Sequence, residues 1–181
     1  MNVLLAVATK HGATHGIADA VSQELAKLGI DAPVRNLEGV HDLAGYDAAI
    51  LGSAIYIGHP MPVAQHFVDT HEGALTAMPV WLFSSGALGT DHPVPAWPSV
   101  EFDRMAERIG AREYRMFAGR LDGADLSLGE RIVTRAVHAP EGDFRDWDAI
   151  RGWARVIASS LLVVGETAMA RQVAAPHSRC W

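Results

Sequence analysis

Asn2-Val3-Leu4-Leu5-Ala6-Val7-Ala8, then Thr9-Lys10-His11-Gly12-Ala13-Thr14, then His15-Gly16-Ile17-Ala18-Asp19-Ala20-Val21: the reading of this opening stretch decides the fold. Val3 to Ala8 is an unbroken apolar run of strand length. A run without alternation belongs to a strand buried on both faces of a parallel sheet. Ile17, Val21, Leu25 and Leu28 fall on one stripe of a helix, and Gly29 stops it. The loop between them holds hydroxyls, one glycine and small side chains. The first N–H groups of a helix have no internal partner, and the helix dipole adds partial positive charge at that end. Gly12 lets the backbone curl, Thr9 and Thr14 offer hydroxyls, and Lys10 brings a full charge. Two readings fit: a phosphate cradle, or an ordinary loop in which Thr14 caps the helix. The loop is not a Walker A motif, since no Gly-Lys-Ser/Thr follows, and Gly-x-Gly-x-x-Gly is absent. It has no Cys, which excludes phosphatase chemistry of the cysteine type.

Outward from that stretch, 181 residues suit one domain with a sizeable core. The net charge of −6 argues against a nucleic-acid partner. The lone Cys180 has no partner for an internal disulfide, so a reduced, cytoplasmic setting is expected. No basic region precedes the first apolar run, and Thr9-Lys10-His11 cuts it short, so it does not read as a signal peptide. No apolar segment reaches the roughly 18 residues of a spanning helix. Peripheral membrane contact stays open.

Further along, Ala32 to Leu37 mixes polar and apolar residues around Pro33 and suits an edge strand. Leu37, Val40 and Leu43 line a short helix interrupted by glycine. Ala48 to Gly52 is a second apolar strand, followed by a loop from Ser53 to Pro60. Val63, Phe67, His71 and Leu75 mark a helix begun near Pro62. Pro79 to Phe83 is a third apolar strand, and Ser84 to Pro93 a glycine-rich loop. Phe102, Met105, Ala106 and Ile109 mark a helix closed by Gly110. Glu113 to Ala118 is the last strand. Trp147, Ile150, Ala154, Ile157 and Leu161 mark the last helix, with Asp146 as its cap. Five strands alternating with helices make a doubly wound α/β domain. The order 2-1-3-4-5 puts the two mixed strands at the edges and the three apolar strands in the middle. A ligand then sits beyond the carboxyl ends of the central strands, where the loops beginning at Thr9, Ser53 and Ser84 converge.

With those loops placed, the span from Asn2 to about Leu162 resembles a flavodoxin. Thr9-Lys10-His11-Gly12-Ala13-Thr14 is similar to the flavodoxin phosphate loop, with His11 where a threonine is usual. More narrowly, the chain resembles the flavodoxin-like, menaquinone-dependent protoporphyrinogen oxidases of bacteria. The residues that carry this are Ala8 to Thr14 with Ile17-Ala18, Leu51 to His59, Phe67-Val68 with His71, Phe117 to Leu121, and Asp146-Trp147. The resemblance implies FMN. Its phosphate would rest on the N–H groups of Thr9, Lys10, His11, Gly12, Ala13 and Thr14. Its ring would lie between Ala54, Ile55, Tyr56, Ile57, Gly58 and His59 on one side and Ser84, Ser85, Gly86, Ala87, Leu88, Gly89 and Asp91 on the other. Tyr56 is implied as a stacking partner, against its reading as an ordinary surface or core tyrosine. Gly58 is implied as the peptide that bonds flavin N5 in one redox state and turns away in another, and Asp91 as a charge that lowers the potential. His59 follows the flavin loop, where a proton donor or substrate contact is useful; a solvent-exposed loop histidine is the other reading. Trp81 reads as core, and Trp97 as packing under its own prolines or as a flavin neighbour. His11 and His15 are four apart with no third ligand nearby, and Gly16 weakens the helix there. They read as solvated or phosphate-facing rather than metal-binding.

The match departs from the family in an insertion, about 122–145, between the last strand and last helix. The corresponding segment of the membrane-associated oxidases is basic and aromatic. Here Asp122 to Asp146 carries six acids against three arginines, a poor partner for anionic lipid or propionates. Residues 1–164 then form the FMN-binding domain and 165–181 a C-terminal tail. The function expected is an FMN-dependent oxidoreductase that removes hydrogens from a substrate and passes electrons to a quinone or another acceptor. An electron shuttle docking on basic redox proteins and a flavodoxin-fold module without FMN are the alternatives. A homodimer is left open.

Overall fold

The computed structural model describes residues 1–56, 58–86, 99–121 and 142–174. In chain order the elements are β1 (Val3–Ala8), α1 (Ala13–Lys27), β2 (Val34–Asn36), β3 (Ala48–Tyr56), β4 (His59–Pro60), α2 (Pro62–Thr76), β5 (Val80–Gly86), α3 (Val100–Ile109), β6 (Glu113–Ala118), β7 (Arg120–Leu121), β8 (Gly142–Asp143) and α4 (Trp147–Ala174). Five strands pair in parallel in the order β2-β1-β3-β5-β6, the doubly wound order expected from the apolar and mixed strands. Four helices cover the sheet among the described residues.

Alternate residues of each central strand feed opposite faces. Val3, Leu5, Val7, Ile50, Trp81 and Phe83 pack under α1 and α4, against Ile17, Val21, Ile150, Trp153 and Ile157. Leu4, Ala6, Leu51 and Leu82 pack under α2 and α3, against Phe67, Val68, Phe102, Met105 and Ile109. This double burial is why these strands carry no polar face. Gly52 pairs in register with Phe83, whose ring fills the space of a side chain there: a Cβ on Gly52 would lie 2.3 Å from it. The helix signals hold too. Pro62 opens α2, Ser99 caps α3 by accepting from the Phe102 N–H at 3.3 Å, and Asp146 accepts from the N–H groups of Asp148 and Ala149 at the start of α4.

Three expectations change. Ser53–Tyr56 is not loop but the continuation of β3, because Ile55 and Tyr56 pair antiparallel with Pro60 and His59 of β4. Ser84–Gly86 likewise continues β5, held by β6 through Ser84–Met116 and Ser85–Phe117. The helix expected across Leu37, Val40 and Leu43 is a single 3-10 turn, Leu37–Gly39; all three side chains are nevertheless buried. The strands thus deliver their serines and Tyr56 to the sheet edge. Helix α4 continues through residues 165–174, and residues 175–181 lie outside those described, as do most of the insertion and Trp97.

Candidate functional site

The carboxyl ends of β1, β3 and β5 lie side by side, and the order reverses between β1 and β3. A crevice at such a reversal is where open α/β sheets bind ligands. The β1–α1 loop supplies its first wall. Gly12 is the residue before α1, at φ +75°, with open space where a side chain would stand. It has no side chain with which to cap the helix, and the first intrahelical bond runs from the Gly16 N–H to the Gly12 carbonyl. The N–H groups of Ala13, Thr14 and His15 are therefore aimed out of the helix. Thr9 turns inward and accepts the Gly12 N–H at 3.1 Å, which fixes the curl of the loop.

Thr14 is not a helix cap. It is fully buried, and its hydroxyl shares a 2.7 Å hydrogen bond with that of Ser85 on β5. A hydroxyl buried beneath the first turn of α1 binds this helix to the third strand end. Lys10 Nζ lies 5.9 Å from the Tyr56 ring centre, and the His11 ring meets Tyr56 edge-on at 6.2 Å. Thr9 to Thr14, Ala54 to Tyr56, and Ser84 to Gly86 are thus brought together from three strands. Gly86 and Tyr56 are half-buried. Ser84 lies beneath, sharing a 2.7 Å hydrogen bond with Tyr114, whose hydroxyl is pushed above its usual pKa by burial. Ile57, Ala87, Leu88, Gly89 and Asp91 lie outside the described residues.

Gly58 holds φ +82° in the β3–β4 turn, a conformation that favours glycine. His59 follows it and is exposed. Its Nδ1 is 3.0 Å from Oε1 of Glu101 on α3, and Gln65 of α2 donates to the other oxygen of that carboxylate at 2.9 Å. Neither Glu101 nor Gln65 stands out in the sequence, because the three residues come from separate elements. His15 pairs with Asp19 at 3.1 Å, one turn along α1, and so is turned along the helix. Among the described residues no group of three or more His, Cys, Asp or Glu side chains could hold a metal ion. No helix of the described residues is long and apolar enough to cross a membrane.

Chemically, outward N–H groups at a helix N-terminus suit an anion, and the strand ends beside them bring Tyr56, with Lys10 over its ring, and the Gly58 turn. The comparisons bear on the family and the fold. A flavodoxin-domain family model matches residues 4–148. A protoporphyrinogen IX dehydrogenase (quinone) of Escherichia coli K12 is 34% identical over 183 residues, covering 87% of this chain and 95% of that protein. Among solved structures, a flavodoxin from the domain Archaea superposes with a TM-score of 0.58 at 14% identity, covering 88% of this chain and 98% of that one. Oxidised flavodoxin 2 of Bacillus cereus superposes with a TM-score of 0.54 at 26% identity, covering 76% and 96%. The chain belongs to the flavodoxin-domain family.

Proposed function

We infer that this chain is an FMN-dependent oxidoreductase that removes hydrogens from a protoporphyrinogen-type substrate and passes electrons to a quinone. The observation that carries the reading is the near full-length likeness to the Escherichia coli dehydrogenase, joined to a cradle fit for a phosphate monoester. The residues present suit the group. The N–H groups of Ala13, Thr14 and His15 and the charge of Lys10 match a dianion at a helix N-terminus, and Gly12 leaves the backbone open to close approach. Tyr56 offers a ring face at the sheet edge for a flat ligand. Bound FMN supplies transfer of hydride or single electrons. The chain's own residues bind and orient: the phosphate loop holds one end, Tyr56 the other, and Gly58 allows the turn beside it to change its peptide. His59, steadied by Glu101, accepts a proton that the substrate releases.

Two measurements test this. Purified protein should show the visible bands of bound flavin, retained through desalting after FMN is added, and a colourless folded protein would leave only the binding-module reading. Turnover of protoporphyrinogen with a quinone then separates the enzyme from an electron shuttle. The shuttle reading draws on the net charge of −6, which suits docking on basic redox proteins. Flavin reduction by such a partner, without turnover of protoporphyrinogen, would move the shuttle to first place.

A further inference from the structure

Gly16 closes the first turn of α1, where alanine would be the better helix former. The space beside it is taken by a side chain from the far end of the domain: a Cβ on Gly16 would lie 2.5 Å from Nη1 of Arg145. Arg145 closes the short β7–β8 ribbon from which the insertion departs. Its Nε and Nη2 donate to Asp143 Oδ1 and Oδ2 at 2.8 and 2.5 Å, a two-pronged pairing that holds the Asp143 carboxyl below its usual range. Its guanidinium lies 4.3 Å over the Trp147 ring, and its Nη1 faces the Ala13 carbonyl at 3.5 Å. Only 11% of the side chain is exposed.

That seat is in the wrong place for simple stability. A cation beside the first turn of a helix opposes the helix dipole, and among the described residues Asp143 is the carboxylate paired with it. What the seat does accomplish is mechanical. Asp143, Trp147 and Arg145 form one block, and the block bears on Ala13 and Gly16, the turn whose outward N–H groups form the cradle. We propose that Arg145 is a positioning residue for the phosphate end of the flavin site. It fixes the first turn of α1 against the β7–β8 ribbon, so that the N–H groups of Ala13, Thr14 and His15 stay aimed at the phosphate monoester. Arg145 acts through the helix and does not itself contact the anion, because Asp143 already occupies its fork. Gly16 is the space that lets the guanidinium reach the turn.

The proposal rests on the FMN reading, and its test separates the two. FMN and riboflavin, which differ by the phosphate alone, are titrated into the full chain and into Arg145→Met, Arg145→Lys and Gly16→Ala. Far-UV circular dichroism and thermal melts accompany each titration. In Gly16→Ala the new methyl unseats the guanidinium while the helix itself gains a better former, so loss of folding does not confuse the result. FMN should bind about tenfold more weakly to Arg145→Met and Gly16→Ala, with riboflavin changed less than about twofold. Lysine should not restore affinity, since it lacks the planar fork that pairs with Asp143 and stacks on Trp147. An unchanged ratio of FMN to riboflavin affinity in Gly16→Ala overturns the proposal while leaving the cofactor reading intact. A folded wild-type chain that binds neither flavin overturns both.

Discussion

The two ends of the candidate site are built in opposite ways. At the β1–α1 end two hydroxyls are buried and bound to each other: Thr14 and Ser85 lie under the first turn of α1, and the Arg145 block bears on it from the side. At the β3–β4 end Tyr56 is half-buried, Gly58 sits in a left-handed turn, and His59 reaches Glu101 across the surface. In the proposed reading the first end is a socket whose walls are already bonded to each other. The second has little to lose from moving. A site that must grip one part of a ligand and admit a reacting partner at another needs that asymmetry, since preorganisation raises affinity and mobility permits approach.

The sharpest way to break the comparison is Thr14→Val. The change keeps the shape but leaves the buried Ser85 hydroxyl unpaired, which should cost about 1–3 kcal/mol. A urea titration at constant m-value reads it. Adding Ser85→Ala should recover part of the loss, because removing both partners of a buried bond costs less than orphaning one. If Thr14→Val leaves the midpoint where it was, the socket is not held by this bond and the contrast between the two ends fails. Next in size comes Gly12→Ala. No atom of the described residues would meet the new methyl, so the cost is that of φ +75°, about 1–2 kcal/mol. Gly12→Asn should cost less, since asparagine visits that region more readily.

A smaller effect concerns how α1 is anchored along its length. Its first turn meets the Asp143–Arg145 pair, and its last turn carries Glu24, which accepts from Lys27 at 2.8 Å and from Arg155 of α4 at 2.7 Å. The Lys27 and Arg155 hydrogen bonds hold the Glu24 carboxyl below its usual 4.5, and Arg145 holds Asp143 below 3.8. A carboxylate whose folded value is depressed binds fewer protons folded than unfolded in that range. Its contribution is complete above the unfolded value and disappears as pH falls through the folded one. The melting temperature should therefore fall below about pH 4.5. Glu24→Gln should flatten the upper part of that decline. The cations are more than half exposed, so the pair is screened and high salt should shrink the difference.

The architecture was legible because burial on both faces of a sheet leaves a mark that single residues carry. Val3–Ala8 and Val80–Phe83 are apolar throughout, while Glu113–Ala118 is mixed, and the sheet order follows. The loops were less legible. Ser53 and Ser84 read as loop residues, yet each continues a strand, because the strand partners that hold it, Ala8 and Ser84 for Ser53 and Met116 for Ser84, lie elsewhere in the chain. Thr14 reads either as a phosphate-facing hydroxyl or as a cap, since Ser and Thr at helix starts often are caps; its hydroxyl partner in the fold is 71 positions away. Arg145 counts in the sequence only as one basic residue of an acidic insertion. The single local trace of its role is Gly16, a helix glycine with no reason of its own.

The smallest effect belongs to the open end and sharpens the comparison from the other side. His59 and Glu101 are joined at 3.0 Å, but the His59 side chain is 67% exposed. Pairs of this kind contribute about 0–1 kcal/mol, so His59→Ala and Glu101→Gln should move the urea midpoint far less than Thr14→Val. In the proposed reaction the ranking reverses. Loss of a positioned proton acceptor lowers turnover about a hundredfold or more, whereas Glu101→Gln keeps the imidazole and should lower kcat less, with KM little changed. A His59→Ala variant as unstable as Thr14→Val would mean that both ends of the site are load-carrying structure, and that the turn around Gly58 is not free to move. A His59→Ala variant that is stable and fully active would keep the mechanical contrast and remove His59 from the chemistry.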